Sequence, residues 1–234
     1  MKISIIIPTY NEAEGIQQLL KYLKKYAHSS VADILVVDGQ SFDATAKKVR
    51  EVGVKCFISP EKGRAAQMNV GADKATGDIL YFVHADSFPP KSYATDILHQ
   101  IENGAESGCY RFTFDSDNRL LKINSWFTRF DRLICRGGDQ TLFIAREVYE
   151  ELGGFKNYAI MEDFEMIKRL RKRGTFHIIQ KPVVVSARKY ELNSYLKVNF
   201  INLVIFLMFS LGISQETMVH AYRQLISGTK FGNN

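Results

Sequence analysis

Cysteine is scarce in this chain: Cys56, Cys109 and Cys135 are the whole set among 234 residues. Odd in number and far apart, they form no CxxC pair, CxxCH or Cys/His zinc spacing, which excludes a disulfide-stapled scaffold and a structural zinc site. Three reduced thiols in a reducing compartment is the simplest account. Sixteen glycines and five prolines are too few for a collagen-like chain, and no Pro/Ser-rich linker, low-complexity stretch or internal repeat divides it. Signatures of several enzyme classes are missing too. Gly39-Gln40-Ser41 opens no GxGxxG, neither Lys62-Gly63-Arg64 nor Gly228-Thr229-Lys230 sits in a Walker loop, and HExxH and GxSxG do not occur. The first apolar run is cut by Pro8 after Ile7 and does not read as a signal peptide, so the catalytic part is expected on the cytoplasmic side. No nucleic-acid-binding motif or interleaved aromatic platform accompanies the basic balance, and no nucleic-acid partner is expected.

What is present suits one sizeable core. The chain is 46% apolar and 24% charged, with 31 Lys and Arg against 25 Asp and Glu for a net +6. Abundant Ile, Leu, Val and Phe argue against disorder, and the length allows one large domain with at most a short appendage. Ile3 to Ile7 is a β-branched run suited to a strand buried on both faces. Pro8-Thr9-Tyr10-Asn11-Glu12 breaks it, and a helical pattern follows through Ile16, Leu19, Leu20 and Leu23. Ile34 to Val37 reads as a second strand, Val54 to Ile58 as a third and Ile79 to Val83 as a fourth. Helices fall between them, one around Ala46 and Val49, which Ser41 or Asp43 can cap, and one over Arg64 to Ala75. This alternation predicts an α/β fold with a mostly parallel sheet. Past Pro90 the pattern loosens: a helix over Tyr93 to Ile101, an alternating stretch near Cys109 to Phe114, a strand over Thr141 to Ile144, and a turn at Gly153-Gly154. Ile160, Phe164, Ile167 and Leu170 then share one helical face.

Ligands of such sheets bind beyond the carboxyl ends of the strands. Thr9, Asn11 and Glu12 follow the first strand, Asp38 the second, and His84 and Asp86 the fourth. In His84-Ala85-Asp86 the carboxylate is a hard ligand suited to Mg²⁺ or Mn²⁺ on a substrate phosphate, while the plainer reading has Asp86 capping the next turn. Lys62-Gly63-Arg64 precedes a helix and fits either an anion site or a solvated loop. Glu162-Asp163 opens an amphipathic helix whose dipole favours carboxylates; one of them could also take a proton from an acceptor hydroxyl. Lys168, Arg169, Arg171, Lys172 and Arg173 read as a solvated helix end or, more sharply, as a contact with an anionic membrane. Val198 to Ile213 carries no charge over 16 residues. That is short of the roughly 20 needed for a bilayer span, which leaves a buried core helix or a lipid-facing one.

Together these segments resemble glycosyltransferase family 2 and its GT-A fold. The resemblance is carried by Ile5 to Glu12, Val36 to Asp43, Gly63 to Asn69, Phe82 to Asp86, Gly138-Asp139-Gln140, Gly153-Gly154-Phe155, Met161-Glu162-Asp163 and Ser186-Ala187-Arg188. Within the family the set looks closest to the small bacterial branch called rSAM/selenodomain-associated transferase 2. The resemblance implies a nucleotide-sugar donor, a UDP-sugar foremost. Pro8, Thr9, Glu12 and Asp38 would lie along the nucleoside, Arg64 at the base or diphosphate, and His84, Ala85 and Asp86 in the donor site. Asp86 would hold a divalent metal, Mn²⁺ or Mg²⁺; Asp163, beside Glu162, would be the general base of an inverting transfer; Asp139, Gln140 and Arg188 would face the acceptor. His84 stands where the wider family has the first Asp of a DxD motif, and a neutral imidazole there favours Mn²⁺ over Mg²⁺. The QxxRW motif of processive synthases is absent, which favours transfer of a single sugar.

These readings divide the chain into a transferase domain over 1–190, with a nucleotide-binding half over about 1–90 and an acceptor half over about 91–190, and a C-terminal helical segment over 191–234 packed on the domain or the membrane. The acceptor is unknown and a lipid-linked one is allowed; the expected location is cytoplasmic, with a peripheral place on the inner face of the cell membrane admitted by the apolar run. The rival is a nucleotide-sugar-binding interaction protein without transfer activity, for which His84 is the only support. A nucleotidyltransferase lacks the Gly-rich triphosphate loop after the first strand.

Overall fold

The computed structural model describes residues 1–188, 190 and 193–225. The first strand, β1, covers Ile3–Thr9 and is buried along its whole length. Its side chains alternate between two cores: Ile3, Ile5 and Ile7 enter one and Ile6 the other. That is why this run is apolar without a polar face. On either side of β1 lie β2 (Val31–Asp38) and β4 (Ile79–Phe82), and β3 (Lys55–Ile58) flanks β2; all four run parallel. The helices between them are α1 (Ile16–Tyr26), α2 (Thr45–Glu51) and α3 (Arg64–Lys74). Parallel strands need such crossovers, and their polar carboxyl ends therefore gather on one edge.

The sheet then changes character. Beyond β4 it continues through β7 (Leu142–Ala145), β6 (Ser107–Phe114), β8 (Phe176–Val185) and β5 (Ser87–Phe88), eight strands in all in the order β3-β2-β1-β4-β7-β6-β8-β5. β7 is antiparallel to both β4 and β6, β8 is parallel to β6, and β5 antiparallel to β8. Helix α4 (Tyr93–Glu102) packs with α1 on one face, where Leu19, Leu20, Leu23, Tyr81, Tyr93, Tyr110 and Phe143 form the larger core. The other face is covered by α3, α6 (Arg146–Glu151) and α7 (Glu162–Arg171) around Met68, Phe82, Tyr149, Phe155, Ile167 and Leu170. Further α-helices among the described residues are α5 (Arg119–Phe127), α8 (Tyr195–Ser210) and α9 (Gln215–Leu225). Gly228-Thr229-Lys230 lies outside the described residues.

Three local expectations gain detail. Ser41 does not cap α2, because its hydroxyl and amide are both bound to Asp38; Asp43 Oδ1 accepts the Thr45 N–H instead, at 2.9 Å. The proposed single face of α7 is split. Ile160 precedes the helix and packs with Ile201, Ile205, Met218 and Tyr222, whereas Ile167 and Leu170 belong to the sheet core. Phe164 stacks on Phe206 and Phe209 of α8. Finally, three cations of the basic run at the end of α7 are engaged in ion pairs: Arg169 with Glu165, largely buried, and at the surface Arg171 with Asp131 and Arg173 with Glu106 and Glu151. The Val198–Ile213 run is neither wholly core nor wholly free; Val198, Ile201 and Ile205 are buried, and the other side of α8 is exposed.

Candidate functional site

At the ends of β1 and β2 the chain makes two linked turns, with Asn11 and Gln40 in the left-handed region at φ +54° and +66°. Asp38 is buried and accepts the Ser41 N–H at 2.9 Å and the Ser41 hydroxyl at 2.5 Å, while the Thr9 hydroxyl donates to it at 3.4 Å. The Asn11 N–H donates to Ser41 Oγ and the Glu12 N–H to Thr45 Oγ1, both at 2.8 Å. Behind them the Gln67 amide donates to the carbonyls of Thr9 and Val37 at 2.7 Å each. A Cβ at Gly39 would stand 3.0 Å from that amide, so the glycine makes room for the brace. The sequence reading passed over Gln67 as a structural residue; only its side-chain geometry shows that it pins both loops. It also missed the edge-to-face pair of Tyr10 and Phe42 on the rim, where Phe42 is 84% exposed.

A second group forms where β4, the Gly138–Gln140 turn and α7 meet. Arg64, the first residue of α3, places Nε 2.7 Å from Glu162 Oε1. Glu162 is 1% exposed and its carboxylate oxygens accept no well-aligned hydrogen bond. Burial raises its pKa to about 7, and the neighbouring Asp163 charge adds to the rise, against the pull of Arg64. Arg64 is 43% exposed and Glu162 1%, so the cost of desolvating the pair falls mainly on the carboxylate. His84, also buried, has Nδ1 3.5 Å from Asp139 Oδ1; burial alone would lower its pKa, but Asp139 and Asp163 outweigh it and raise it. Burial raises the Asp86 pKa, and the charges of Asp139 and Glu12 raise it further. Across the opening Arg188 reaches Glu12 at 3.4 Å.

The fold therefore brings Glu12, Arg64, His84, Asp86, Asp139, Glu162, Asp163 and Arg188 into one charged group, beside the Thr9–Asp38 pair. Three other sequence-predicted residues sit beneath this surface. Pro8 is a buried residue of β1 and Ala85 packs in the larger core. The Gln140 amide is consumed by donating to the Cys135 carbonyl and accepting from the Cys109 thiol, and the side chain has no exposed area.

Among the described residues no set of three or more His, Cys, Asp or Glu side chains converges as a metal cage. Asp86 nevertheless suits a divalent cation that takes most of its ligands from a substrate diphosphate: it offers hard oxygens, and the surrounding carboxylates concentrate negative charge that a cation relieves. Asp163 lies in the first turn of α7, where the free N–H groups favour a carboxylate. Met161, just before it, holds the left-handed conformation at φ +67° and turns the chain sharply into that helix.

Comparison with known proteins identifies the family and the fold. A family model described as Glycosyl transferase family 2 matches residues 4–159. A dolichol-phosphate mannosyltransferase from Pyrococcus furiosus is 32% identical over 167 residues, covering 66% of this chain and 45% of that protein. A probable glycosyltransferase from Bacillus subtilis, YdaM, is 26% identical over 210 residues, covering 79% and 50%. The chain thus spans about half the length of these curated relatives. Among solved structures, a mannosyltransferase from Pyrobaculum calidifontis in complex with GDP-Man and Mn²⁺ superposes with a TM-score of 0.66 at 20% identity, covering 96% of this chain and 69% of that one. Glucosyl-3-phosphoglycerate synthase from Mycobacterium tuberculosis, in complex with Mn²⁺, UDP and glucosyl-3-phosphoglycerate, does so with a TM-score of 0.67 at 13% identity, covering 91% and 81%. These likenesses establish the GT-A fold.

Proposed function

Because this chain belongs to glycosyl transferase family 2, we propose that it moves one sugar from a nucleotide-diphosphate donor to an acceptor hydroxyl, with inversion at the anomeric carbon and dependence on a divalent metal. The observation that carries the reading is the juxtaposition of Asp86, Arg64 and Asp163 at the carboxyl edge of the parallel strands, beside the braced loops of Thr9 and Asp38. The nucleoside lies against those loops, with the Tyr10–Phe42 pair at its rim. Arg64 meets the diphosphate, and Asp86 would hold a cation, Mn²⁺ or Mg²⁺, which supplies charge stabilisation to the leaving group. Asp163 accepts the proton of the acceptor hydroxyl as its oxygen bonds to the anomeric carbon from the opposite face. The bond from that carbon to the diphosphate oxygen breaks, and the nucleoside diphosphate leaves with the electron pair. Asp139 and Arg188 border the acceptor side, and Gln140 supports that wall from below.

A UDP-sugar is the first donor to try, since solved neighbours hold UDP as well as GDP-Man. A lipid-linked acceptor is the counterpart to try, given that one relative is a dolichol-phosphate mannosyltransferase. The whole motif series, His84-Ala85-Asp86 included, supports assigning the chain to the rSAM/selenodomain-associated branch, and we also propose a place on the cytoplasmic side, peripheral to the cell membrane. Turnover of a panel of nucleotide sugars, with and without Mn²⁺, tests the proposal. Asp163→Asn is expected to lower transfer by roughly 10²–10⁴-fold, the usual worth of a positioned general base, while nucleotide-induced thermal stabilisation persists. Binding with no turnover of any donor would favour the interaction-protein rival, and an unimpaired Asp163→Asn enzyme would remove the base assignment.

A further inference from the structure

Helix α8 is mainly apolar, yet the protein covers only one side of it. Val198, Ile201 and Ile205 are buried, the last two against Ile160, Met218 and Tyr222. Leu196, Phe200, Leu203, Leu207 and Leu211 recur every three or four residues and stand exposed, Leu196 by 76% and Leu211 by 79%. Helix α5 lies alongside: the Asn124 amide donates to Asn199 Oδ1 at 2.9 Å and the Tyr195 hydroxyl to Asn124 Oδ1 at 2.7 Å. It adds Leu120, Ile123, Trp126, Phe127 and, just beyond its end, Phe130, all exposed. An apolar surface drawn from two neighbouring helices is far more than the scattered exposed residues of an ordinary monomer.

The border of this surface is cationic. Arg119, Lys122, Arg129, Arg132 and Lys197 are exposed around it, and Arg129 sits 4.9 Å over the Trp126 ring. The nearby acids are engaged, Asp117 with Lys122 and Asp131 with Arg171. We propose that the α5–α8 face rests on an anionic lipid bilayer, its leucines and aromatics at the headgroup–acyl boundary and its border cations on lipid phosphates. A second copy of the chain fits less well. A two-fold contact sets the same patch against itself and so opposes one cationic border to another, whereas an anionic surface neutralises it. Among the described residues no helix is long and apolar enough to cross a membrane. The 16 residues of α8, at 1.5 Å each, span about 24 Å against a hydrocarbon core of about 30 Å, so the helix lies in the interface plane.

The face also abuts the catalytic end of α7. Phe164, next to Asp163, stacks on Phe206 and Phe209 of α8 at 5.7 and 6.4 Å between ring centroids. A bilayer here would present acceptors to the Asp163 side of the cleft; this last step alone rests on the transferase reading. The docking itself is tested without turnover, by co-sedimentation of the full chain with vesicles of phosphatidylcholine and with vesicles enriched in phosphatidylglycerol. The intact protein should sediment with the anionic vesicles and remain in solution with the neutral ones. Phe200→Ser/Leu207→Ser and Lys122→Glu/Arg129→Glu should each lower anionic-vesicle binding roughly tenfold or more, with circular dichroism and the melting temperature unchanged. Equal partitioning of the intact protein onto both vesicle types, or unaltered binding by both folded variants, would overturn the proposal. So would a failure to bind anionic vesicles accompanied by a dimer in sedimentation velocity that the Phe200→Ser/Leu207→Ser variant disperses.

Discussion

Replacing Glu162 by Gln should make the protein more stable at pH 8, with a much smaller gain at pH 5. The carboxyl is almost fully buried, without an aligned hydrogen bond, and its pKa is pushed up to about 7 from an ordinary 4.5. In the unfolded chain the group returns to that ordinary value. Between pH 4.5 and 7 the folded protein therefore holds more protons at this site than the unfolded one, and stability falls as pH rises through the window, then levels off. At about 1.4 kcal/mol per pH unit, the gap corresponds to roughly 3 kcal/mol as an upper limit. Gln has nearly the same shape and no charge, so this slope disappears. The pull of Arg64 is already contained in that net upward shift, so the loss of the pairing is not subtracted a second time.

The measurement is urea unfolding of both proteins at pH 5, 6, 7 and 8. The difference between them reports Glu162 together with the charged neighbours it is coupled to, Arg64, Asp163 and His84, since the titrating groups farther away are common to the two. The variant's advantage should grow across pH 5 to 7 and reach about 2–3 kcal/mol at pH 8. Parallel stability curves would show that Glu162 titrates normally. An advantage for the native protein that grows with pH would show instead that the Arg64 pairing outweighs desolvation, and the account of this carboxylate would be reversed.

Much of the N-terminal half was legible because its physics is local. Short β-branched and apolar runs mark strands buried on both faces, although β1 continues through Pro8 to Thr9, and the crossover helices between the strands leave one ligand-binding edge. The second half was harder for equally local reasons. β8 contains Gln180-Lys181-Pro182, which reads as a break; the structure accommodates it by a register shift, Tyr110 pairing with Ile179 and Arg111 with Pro182. β5 is two residues long and has no pattern to detect. The charged residues of the site were recognisable by type, but their coupling was not: Arg64 and Glu162 are 98 positions apart, and only the packing of α3 and α7 on the same sheet face makes them partners. Periodicity likewise placed Phe164 with Ile167, because spacing alone does not show that two separate cores meet on α7.

Two further substitutions probe the donor side of the cleft. Asp86→Ala should abolish metal-dependent nucleotide binding while sparing the fold: a nucleoside diphosphate at a hundred times its dissociation constant stabilises the native protein by about 2.7 kcal/mol, a rise in melting temperature of roughly 5–10 °C for a chain of this size, and the variant should show none of it with Mn²⁺. A full shift in that variant would mean that the cation, if bound, is held elsewhere. Gly71→Ala tests how closely α3 must approach the sheet. Alanine is intrinsically the better helix former by about 1 kcal/mol, but its Cβ would fall inside the Ile6 side chain and stand 3.2 Å from Val37. Ile6 and Val37 are fully buried and cannot yield, so overpacking by about 1–3 kcal/mol should win and the urea midpoint should fall. The same displacement would move Arg64 and the Gln67 brace, which ride on α3, so nucleotide affinity should weaken together with stability. A variant of unchanged or higher stability would show that the helix does not sit against β1 as closely as this packing requires.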